Sequence, residues 1–306
     1  MLGLFSPDSP IAGGDLELDY DAAYTACATL GAKLGLTAVE TAWGIRQIVN
    51  ASMAGAVRTA SVRRGLDPRD FALLGFGGAG PLHAADIASE MGITDVVIPA
   101  VAGCFSALGI AITDAVHDFV HTQSRLVDAD ASRDAGDDLR SLMDQGAEEL
   151  RDSGIDDALH QFECSADLRY QGQNSTLNVR LGESGDLTGP GEAFHAEHLR
   201  QFGYEMRDQP LELVNLRVRA IGTIGQDFEA SRTAEATVPK SQGAREIVTS
   251  PGETASVPVY DRDLLTPGAE FAGPAMVTSR DTAAVIPPSA HARVDGGGHL
   301  RIGLAR

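Results

Sequence analysis

The sequence contains few cysteines and no long hydrophobic run. Its three cysteines are far apart, odd in number and without the spacing of zinc sites or redox pairs, so we expect reduced thiols in the cytosol. No apolar segment is long enough to cross a membrane, and the start of the chain lacks the basic region of a signal peptide. These absences predict a soluble cytoplasmic protein that does not associate with membranes.

Lysine is almost absent as well. Only Lys33 and Lys240 occur, and the 306-residue chain has a net charge of −19. A surface of this sign repels phosphate backbones, so we expect no nucleic-acid partner. Acid-rich, lysine-poor composition is typical of proteins from salt-loving organisms, because concentrated salt screens the repulsion between carboxylates. An ordinary acidic protein from a GC-rich genome is the alternative interpretation.

Length and hydrophobic pattern indicate about two domains. Residues 1–122 are rich in alanine and glycine and combine strand and helix patterns, which predicts an α/β domain. The acidic stretch 124–138 has the composition of a connector. Residues 123–306 mix helix and strand patterns, which predicts an α+β domain, and short apolar pieces between prolines and glycines predict a β-rich end over residues 231–306.

A long helix is predicted by the segment that begins at Thr37. Thr37 and Glu40 have the spacing of a capping box, and an apolar stripe follows at helical spacing. We expect Asn50 and Arg58 on this helix to be solvated or capping groups, with ligand contact as the alternative. The residues of the stripe, which we expect to be buried, are Ala42, Ile45, Val49, Met53 and Val57.

Regular patterns also occur in the middle of the chain. Leu139, Leu142 and Leu150 recur near helical spacing and predict a helix. Strict alternation from Phe162 to Tyr170 predicts a half-buried strand. Further segments of this kind are the strand candidates "STLNVRL" and "LELVNLRVRAIGTIG" and the helix candidate "GEAFHAEHLRQFG".

A glycine-rich turn lies between two apolar runs in the first domain. The stretch "FALLGFGGAGPLHAADIASEMGITDVVIPA" predicts strand, turn, helix and strand, and its G-x-G-x-x-G spacing is that of a dinucleotide-binding turn. Such a turn also requires an acidic residue after the second strand, but Asp95 precedes that strand and no carboxylate follows it directly. No lysine follows the glycines as in a P-loop. Both nucleotide-binding patterns are therefore incomplete.

The turn still has the chemistry of a ligand-binding element. Gly77, Gly78, Ala79 and Gly80 allow the backbone to approach a ligand closely, and Pro81 suits the first position of a helix. Free amides and the positive end of the helix dipole favour a phosphate or a ribose–phosphate edge. A strand-to-helix turn that needs small residues for purely structural reasons is the alternative.

Other side chains are candidates by residue type. We expect His83 to be the third residue of the helix, where the helix dipole lowers its pKa and keeps the imidazole neutral. It is the one catalytic candidate: a neutral imidazole can contact a phosphate-linked substrate, and a structural histidine bonded to backbone is the alternative. Cys104 and Ser106 have the residue types of nucleophiles, but no base lies at a fixed spacing from them.

The histidine pairs do not predict a metal site. His117 and His121 have the i, i+4 spacing of helical metal ligands, but no third ligand is evident. His195 and His198, with Glu197 beside them, do not have the order of a zinc-binding motif. We expect that pair on an exposed helix face.

The chain resembles the A-type subunits of hydantoinase and 5-oxoprolinase, a family that also includes a component of acetone and acetophenone carboxylases. The central block, which contains "GFGGAGP", is the most specific part of the resemblance. The matching blocks are residues 67–122, "DLRYQGQ" at 167–173, "FGYE" at 202–205, and residues 257–288.

The resemblance implies an α/β chain with part of an actin-like (ribonuclease H-like) ATPase lobe, followed by an α+β, β-rich carboxy-terminal domain. It implies that "GFGGAGP" contacts ATP. It also implies Mg²⁺, with metal ligands on an amino-terminal lobe that carries a glycine- and threonine-rich phosphate loop. The chain resembles only the part that follows this lobe, which is expected of a split subunit or a truncated relative.

Three functions are consistent with the resemblance. The first is a subunit of an ATP-dependent hydrolase that opens cyclic amides such as hydantoin or 5-oxoproline, with an amino-terminal-lobe polypeptide and a B-type subunit as partners. The second is the equivalent subunit of an ATP-dependent ketone carboxylase. The third is a non-catalytic interaction module.

The acidic composition predicts a salt-dependent fold. Because screening relieves repulsion between carboxylates, we expect the thermal midpoint to rise markedly from low-salt buffer to molar potassium chloride. Differential scanning calorimetry at matched pH measures this rise. A midpoint that does not change with salt contradicts the salt-adapted interpretation.

Overall fold

The computed structural model describes residues 1–5, 17–182, 187–224 and 235–305. None of the described helices is both long and apolar enough to span a membrane. The helices are α1 (Tyr20–Leu34), α2 (Ala38–Val62), α3 (Gly80–Met91), α4 (Phe105–Ile112), α5 (Ala129–Asp152) and α6 (Thr188–Phe202). The strands are β1 (Leu73–Leu74), β2 (Asp95–Ile98), β3 (Ala115–Leu126), β4 (His160–Tyr170), β5 (Leu177–Leu181), β6 (Leu211–Gly222), β7 (Gly243–Ser250), β8 (Glu253–Asp261), β9 (Glu270–Ala272), β10 (Ala275–Thr278), β11 (Ala283–Ile286), β12 (His291–Val294) and β13 (Leu300–Gly303).

The chain divides into two compact units, Met1–Gly109 with Phe228–Arg306, and Ile110–Asp227. In the first unit, β1 and β2 are parallel neighbours, and α3 connects them along the chain. Strands β13, β12 and β9 extend this sheet with antiparallel pairing, in the order β1-β2-β13-β12-β9. A second sheet has the order β11-β10-β8-β7. The predicted strand, turn, helix and strand around the glycine turn are confirmed.

Small residues let the helices of the first unit pack closely. Ala54 of α2 and Ala88 of α3 are completely buried and belong to the same core cluster as Val96 and Ile98 of β2. Alternate residues of β2 face this core, as expected for a strand with one buried face. The glycine turn is therefore attached to a closely packed α/β layer.

The second unit is an antiparallel sheet, β3-β6-β4-β5, packed against helices α5 and α6. The predicted helix and strand are confirmed, because the leucines of α5 are buried and so are Cys164, Ala166, Leu168 and Tyr170 of β4. Asp167 is also buried, which the alternating pattern does not predict. Asn178, Asn215 and Arg217 donate hydrogen bonds to its carboxylate. The buried charge is thereby compensated.

The domain division predicted from composition differs from the packing units. The predicted boundary at 122/123 falls inside strand β3, and the residues from Asp128 to Asp138, predicted as part of a connector, cap and form the first turns of α5. The β-rich end packs in the first unit, because β13 pairs with β2. The predicted boundary at 230/231 lies outside the described residues. Composition does not reveal pairing between strands so distant in sequence.

Helix α2 begins as predicted but buries a different face. Its capping box is present, since the backbone N–H of Glu40 donates to Thr37 Oγ1 and Glu40 Oε2 accepts from the Thr37 backbone N–H. The predicted stripe is wrong at Ile45 and Val49, which are exposed. The buried face instead contains Ala38, Thr41, Arg46, Asn50 and Ala54. Polar contacts of Arg46 and Asn50 with Asp86 of α3 account for this rotation.

A substitution at Gly146 tests the packing of α5 on its sheet. A Cβ atom at this position lies 2.6 Å from Cβ of Ala220 and 3.3 Å from the rings of Phe119 and Phe162. We expect Gly146→Val to lower the free energy of unfolding by about 2 kcal/mol, because overpacking a core displaces its neighbours. Thermal unfolding followed by circular dichroism measures the change.

The matched control is Gly55→Val on α2. A Cβ atom on Gly55 has no neighbour within 4 Å among the described residues, so the same substitution there should change the free energy of unfolding by less than about 0.5 kcal/mol. Equal effects at the two positions contradict the packing described for α5.

Candidate active site at the glycine turn

Two loops meet at one edge of the first sheet. Strands β1 and β2 are parallel, so the loops that follow them leave from the same edge. The backbone N–H of Gly75 donates to the carbonyl of Val97 at 2.9 Å, and that of Gly77 donates to the carbonyl of Ala102 at 2.7 Å. The glycine turn and the loop after β2 are thus joined by backbone hydrogen bonds. Ligands of open α/β sheets bind at such an edge.

The glycines of the turn differ in backbone conformation. Gly77 has φ +82°, a region that favours glycine, and its N–H is already bonded. Gly78 has no positive φ, and in the described part of the chain a Cβ atom there meets only the carbonyl oxygen of Asp281, at 3.6 Å. Gly78 and Ala79 are exposed. A ligand therefore has access to the backbone at 78 and 79.

Helix α3 starts without a side-chain cap. Its N-cap is Ala79, which has no side-chain acceptor, and the helix begins at Gly80, so Pro81 is the second helical residue rather than the first. The first N–H groups of a helix have no intrahelical acceptor. These groups and the helix dipole together favour an anion at this end.

Asp281 approaches both loops from the turn between β10 and β11. Its carbonyl oxygen faces Gly78, and its carboxylate lies against Gly103, where a Cβ atom would overlap it. Asp281 Oδ1 accepts a hydrogen bond from Ser279 Oγ at 2.8 Å, and Oδ2 lies 3.9 Å from Cys104 Sγ. The carboxylate is held at the loop after β2.

A cavity of about 390 Å³ opens between these segments, within the size range of small-molecule sites. Much of its wall is apolar, and its charged groups are Asp263 and Asp281 with Arg262 and Arg280. Two buried atoms of the wall, Arg262 Nε and Thr282 Oγ1, have no hydrogen-bond partner among the described residues. Burial lowers the pKa of the Arg262 guanidinium, which donates from Nη2 to the carbonyl of Gly298. The wall therefore combines apolar surface with polar atoms that are available to hydrogen-bond a ligand.

The structure brings some of the sequence candidates to this cavity. Pro81 and Cys104 line the cavity. Gly78 lies beside Asp281, which also lines it. No base contacts Cys104 in the described chain other than the Asp281 carboxylate, and Ser106 is an exposed residue of α4. Sequence reasoning missed Asp281, although "SRD" lies within one of the blocks that carry the family resemblance.

His83 lies in a polar network between α2 and α3, away from the cavity wall. Its Nδ1 donates to Asn50 Oδ1 at 2.6 Å, and Asn50 Nδ2 donates to Asp86 Oδ2 at 2.9 Å. Arg46 forms an ion pair with Asp86 at 2.7 Å. The expectation of a solvated Asn50 is wrong, because this residue is buried and joins His83 to the ion pair. The partner of His83 is a side chain rather than backbone.

The pKa of His83 is lowered from its ordinary value of 6.5. Burial is the main cause, the positive charge of Arg46 adds to it, and the negative charge of Asp86 opposes it. His83 is therefore neutral at pH 7. Since Nδ1 carries the proton toward Asn50, the lone pair resides on Nε2.

The other histidine pairs have structural positions. His117 and His121 lie on strand β3, not on a helix, and four strand residues span about 13 Å, too far for one metal ion. His195 and His198 are buried, so the expectation of an exposed face is wrong. His195 Nδ1 bonds to the Tyr170 hydroxyl at 2.7 Å. Within the described part of the chain, no group of three or more His, Cys, Asp or Glu side chains could hold a metal ion.

Comparison with known proteins shows what this chain is similar to. Residues 1–119 match the family model described as Hydantoinase/oxoprolinase. This similarity confirms the resemblance to the hydantoinase A/5-oxoprolinase family found in the sequence. The chain spans less than half the length of the first curated relatives that it matches.

Those relatives are similar over nearly the whole chain. An uncharacterized protein of Methanocaldococcus jannaschii is 36% identical, over 95% of this chain and 42% of its own length. Caprolactamase subunit alpha of Pseudomonas jessenii is 31% identical, over 94% and 43%. The acetophenone carboxylase gamma subunit of Aromatoleum aromaticum is 30% identical, over 96% and 42%.

Solved structures confirm the mixed α/β fold class. A nucleotide-free acetone carboxylase structure matches with a TM-score of 0.85 at 22% identity, covering 99% of this chain and 45% of that one. An ATP-dependent caprolactamase from Pseudomonas jessenii matches with a TM-score of 0.69 at 29% identity, covering 100% and 46%. The first match concerns the fold alone.

The charges around His83 predict opposite shifts of its pKa. Asp86→Asn removes the charge that raises the pKa, so we expect His83 to titrate lower than in the parent protein. Arg46→Gln removes a charge that lowers it, so we expect a higher titration. NMR titration of the imidazole carbon-bound protons measures both. Shifts in the same direction, or a parent value above 6.5, contradict the network.

Proposed function

We propose that this chain contributes the ATP-contacting turn of an ATP-dependent enzyme that opens cyclic amides. The observation that carries the proposal is the meeting of two loops at the carboxyl ends of parallel strands, beside a cavity of about 390 Å³. The exposed backbone at Gly78 and Ala79 and the uncapped start of α3 favour the phosphate part of a nucleotide. Gly77, Gly80 and Pro81 shape the turn.

ATP held there supplies a phosphoryl group whose transfer to the amide oxygen weakens amide resonance and makes ring opening feasible. The role of this chain is to bind and orient the nucleotide through backbone N–H groups. Mg²⁺, when present with the nucleotide, is assigned to ligands of an amino-terminal lobe, in line with the family resemblance. His83 is assigned a positioning role, because it braces α2 against the helix that carries the turn.

Two reactions fit this site. Opening of a cyclic amide is supported by the similarity to caprolactamase subunit alpha and by the family description. Carboxylation of a ketone is the second candidate, supported by the similarity to the acetophenone carboxylase gamma subunit. Both kinds of relative use the same fold over nearly the whole chain.

Partner chains are part of the proposal. Helices α1 and α2 bury little of their apolar surface: only Gly31 is buried in α1. A large exposed apolar surface is typical of a binding site, and two relatives are named as subunits. We assign this face to an amino-terminal-lobe polypeptide or a B-type subunit. Its exposed residues include Tyr20, Tyr24, Leu30, Leu34, Ile45, Ile48 and Val49.

Gly78→Val tests the nucleotide site without disturbing the fold. Because Gly78 has no positive φ and a Cβ atom there makes only an ordinary contact, the variant should melt within a few degrees of the parent. The valine side chain occupies the position of the ligand, so we expect ATP to bind at least about tenfold more weakly. Isothermal titration with ATP measures the affinity.

Gly55→Val on α2 is the control and should bind ATP as the parent does. If Gly78→Val melts normally and still binds ATP with parental affinity, the turn is only structural and the proposal fails. The reaction itself is decided with the assembled complex: ATP-dependent ring opening of hydantoin, 5-oxoproline or caprolactam supports the hydrolase, and ATP-dependent incorporation of bicarbonate into a ketone supports the carboxylase.

A further inference from the structure

This edge of the sheet lacks the acidic residue that dinucleotide-binding folds use to bind ribose. In dinucleotide-binding folds, an acidic residue at the end of the second strand accepts hydrogen bonds from the ribose hydroxyls, while the pyrophosphate lies at the helix start. After β2, the chain continues as Pro99, Ala100, Val101, Ala102 and Gly103, without a carboxylate. The residues that directly follow β2 in sequence therefore include no acceptor side chain for the ribose hydroxyls.

A carboxylate from a distant part of the chain lies at this edge of the sheet. The Asp281 carboxylate lies against Gly103, and its Oδ2 is 3.9 Å from the sulfur of Cys104, a residue 177 positions earlier. Only glycine at 103 leaves space for it. The carboxylate therefore lies beside the loop after β2, the segment that carries the acidic residue in dinucleotide-binding folds.

Hydrogen bonds also fix the orientation of the Asp281 side chain. Ser279 Oγ donates to its Oδ1 at 2.8 Å, and the Ser279 N–H donates to the Thr282 carbonyl at 2.8 Å, which closes the turn. Asp281 lines the cavity and is partly exposed to it. An ionised carboxylate offers about four lone-pair sites, so after the bond from Ser279 it retains acceptors for two hydroxyl donors.

We propose that Asp281 accepts hydrogen bonds from the vicinal hydroxyls of the ribose and so makes the cavity selective for ribonucleotides. This inference rests on the proposed nucleotide site and adds a specificity-determining residue to it. The phosphate end of the ligand lies toward the start of α3, and the ribose lies toward Gly103. Asp281 contacts the loops that flank these two ends.

The neighbouring charges of the cavity do not duplicate this role. Asp263 also lines the cavity, but it is an exposed residue whose N–H is bonded to Asp261. Arg262 and Arg280 carry only donors, so they cannot accept from a hydroxyl. Asp281 is thus the carboxylate of the cavity wall that is held against the glycine loops.

Paired binding measurements with ATP and 2′-deoxy-ATP test this inference. We expect the parent protein to bind ATP about ten- to a hundredfold more tightly than 2′-deoxy-ATP, the range of a hydrogen bond to a charged acceptor. Asp281→Asn keeps the size of the side chain but places an amide donor in the site. We expect it to weaken ATP binding and to reduce the preference to less than about threefold.

Asp263→Asn is the matched control, since it removes the same charge from the same cavity. It should retain the preference for ATP, and the thermal midpoints of both variants should be compared with the parent. If the parent does not distinguish the two nucleotides, or if Asp281→Asn retains the full preference, the inference is overturned while nucleotide binding at the turn stands. Failure of the parent to bind either nucleotide refutes the proposed function itself.

Discussion

The hydrogen bond from the Gly77 N–H to the carbonyl of Ala102 is the contact on which the site depends. It joins the loops after β1 and β2, and Gly77 has a positive φ there, which a residue with a side chain rarely adopts. With these loops joined, Gly103 is positioned to receive the Asp281 carboxylate from another hairpin. The cavity between them follows from this arrangement.

Electrostatics gives the two ends of the cavity different chemistry. The start of α3 presents backbone N–H groups without a side-chain cap, and such groups attract anions. The loop after β2 meets a carboxylate, which attracts hydroxyl donors. A ligand that is anionic at one end and carries hydroxyls beside it matches both ends. The neutral His83 lies behind the turn and supports it through Asn50 and Asp86.

Local chemistry made part of this site predictable from sequence. Glycines and Pro81 define a strand-to-helix turn by their own backbone preferences, and the capping box of α2 follows from Thr37 and Glu40. Asp281 was not predictable, because its contact with Gly103 joins residues far apart in sequence. The buried face of α2 was also missed, since Asn50 is buried only because Asp86 and His83 complete its hydrogen bonds. The burial of His195 likewise depends on Tyr170, a partner on another element.

The central claim is that a nucleotide binds against the backbone of the glycine turn. Titration of the isotopically labelled protein with ATP, followed through its backbone amide NMR signals, examines this contact directly. We predict that the largest shifts occur at Gly78, Ala79 and Gly80, with smaller shifts in the loop from Ala102 to Cys104. Saturable ATP binding that leaves these amides unchanged and shifts a different region contradicts the account.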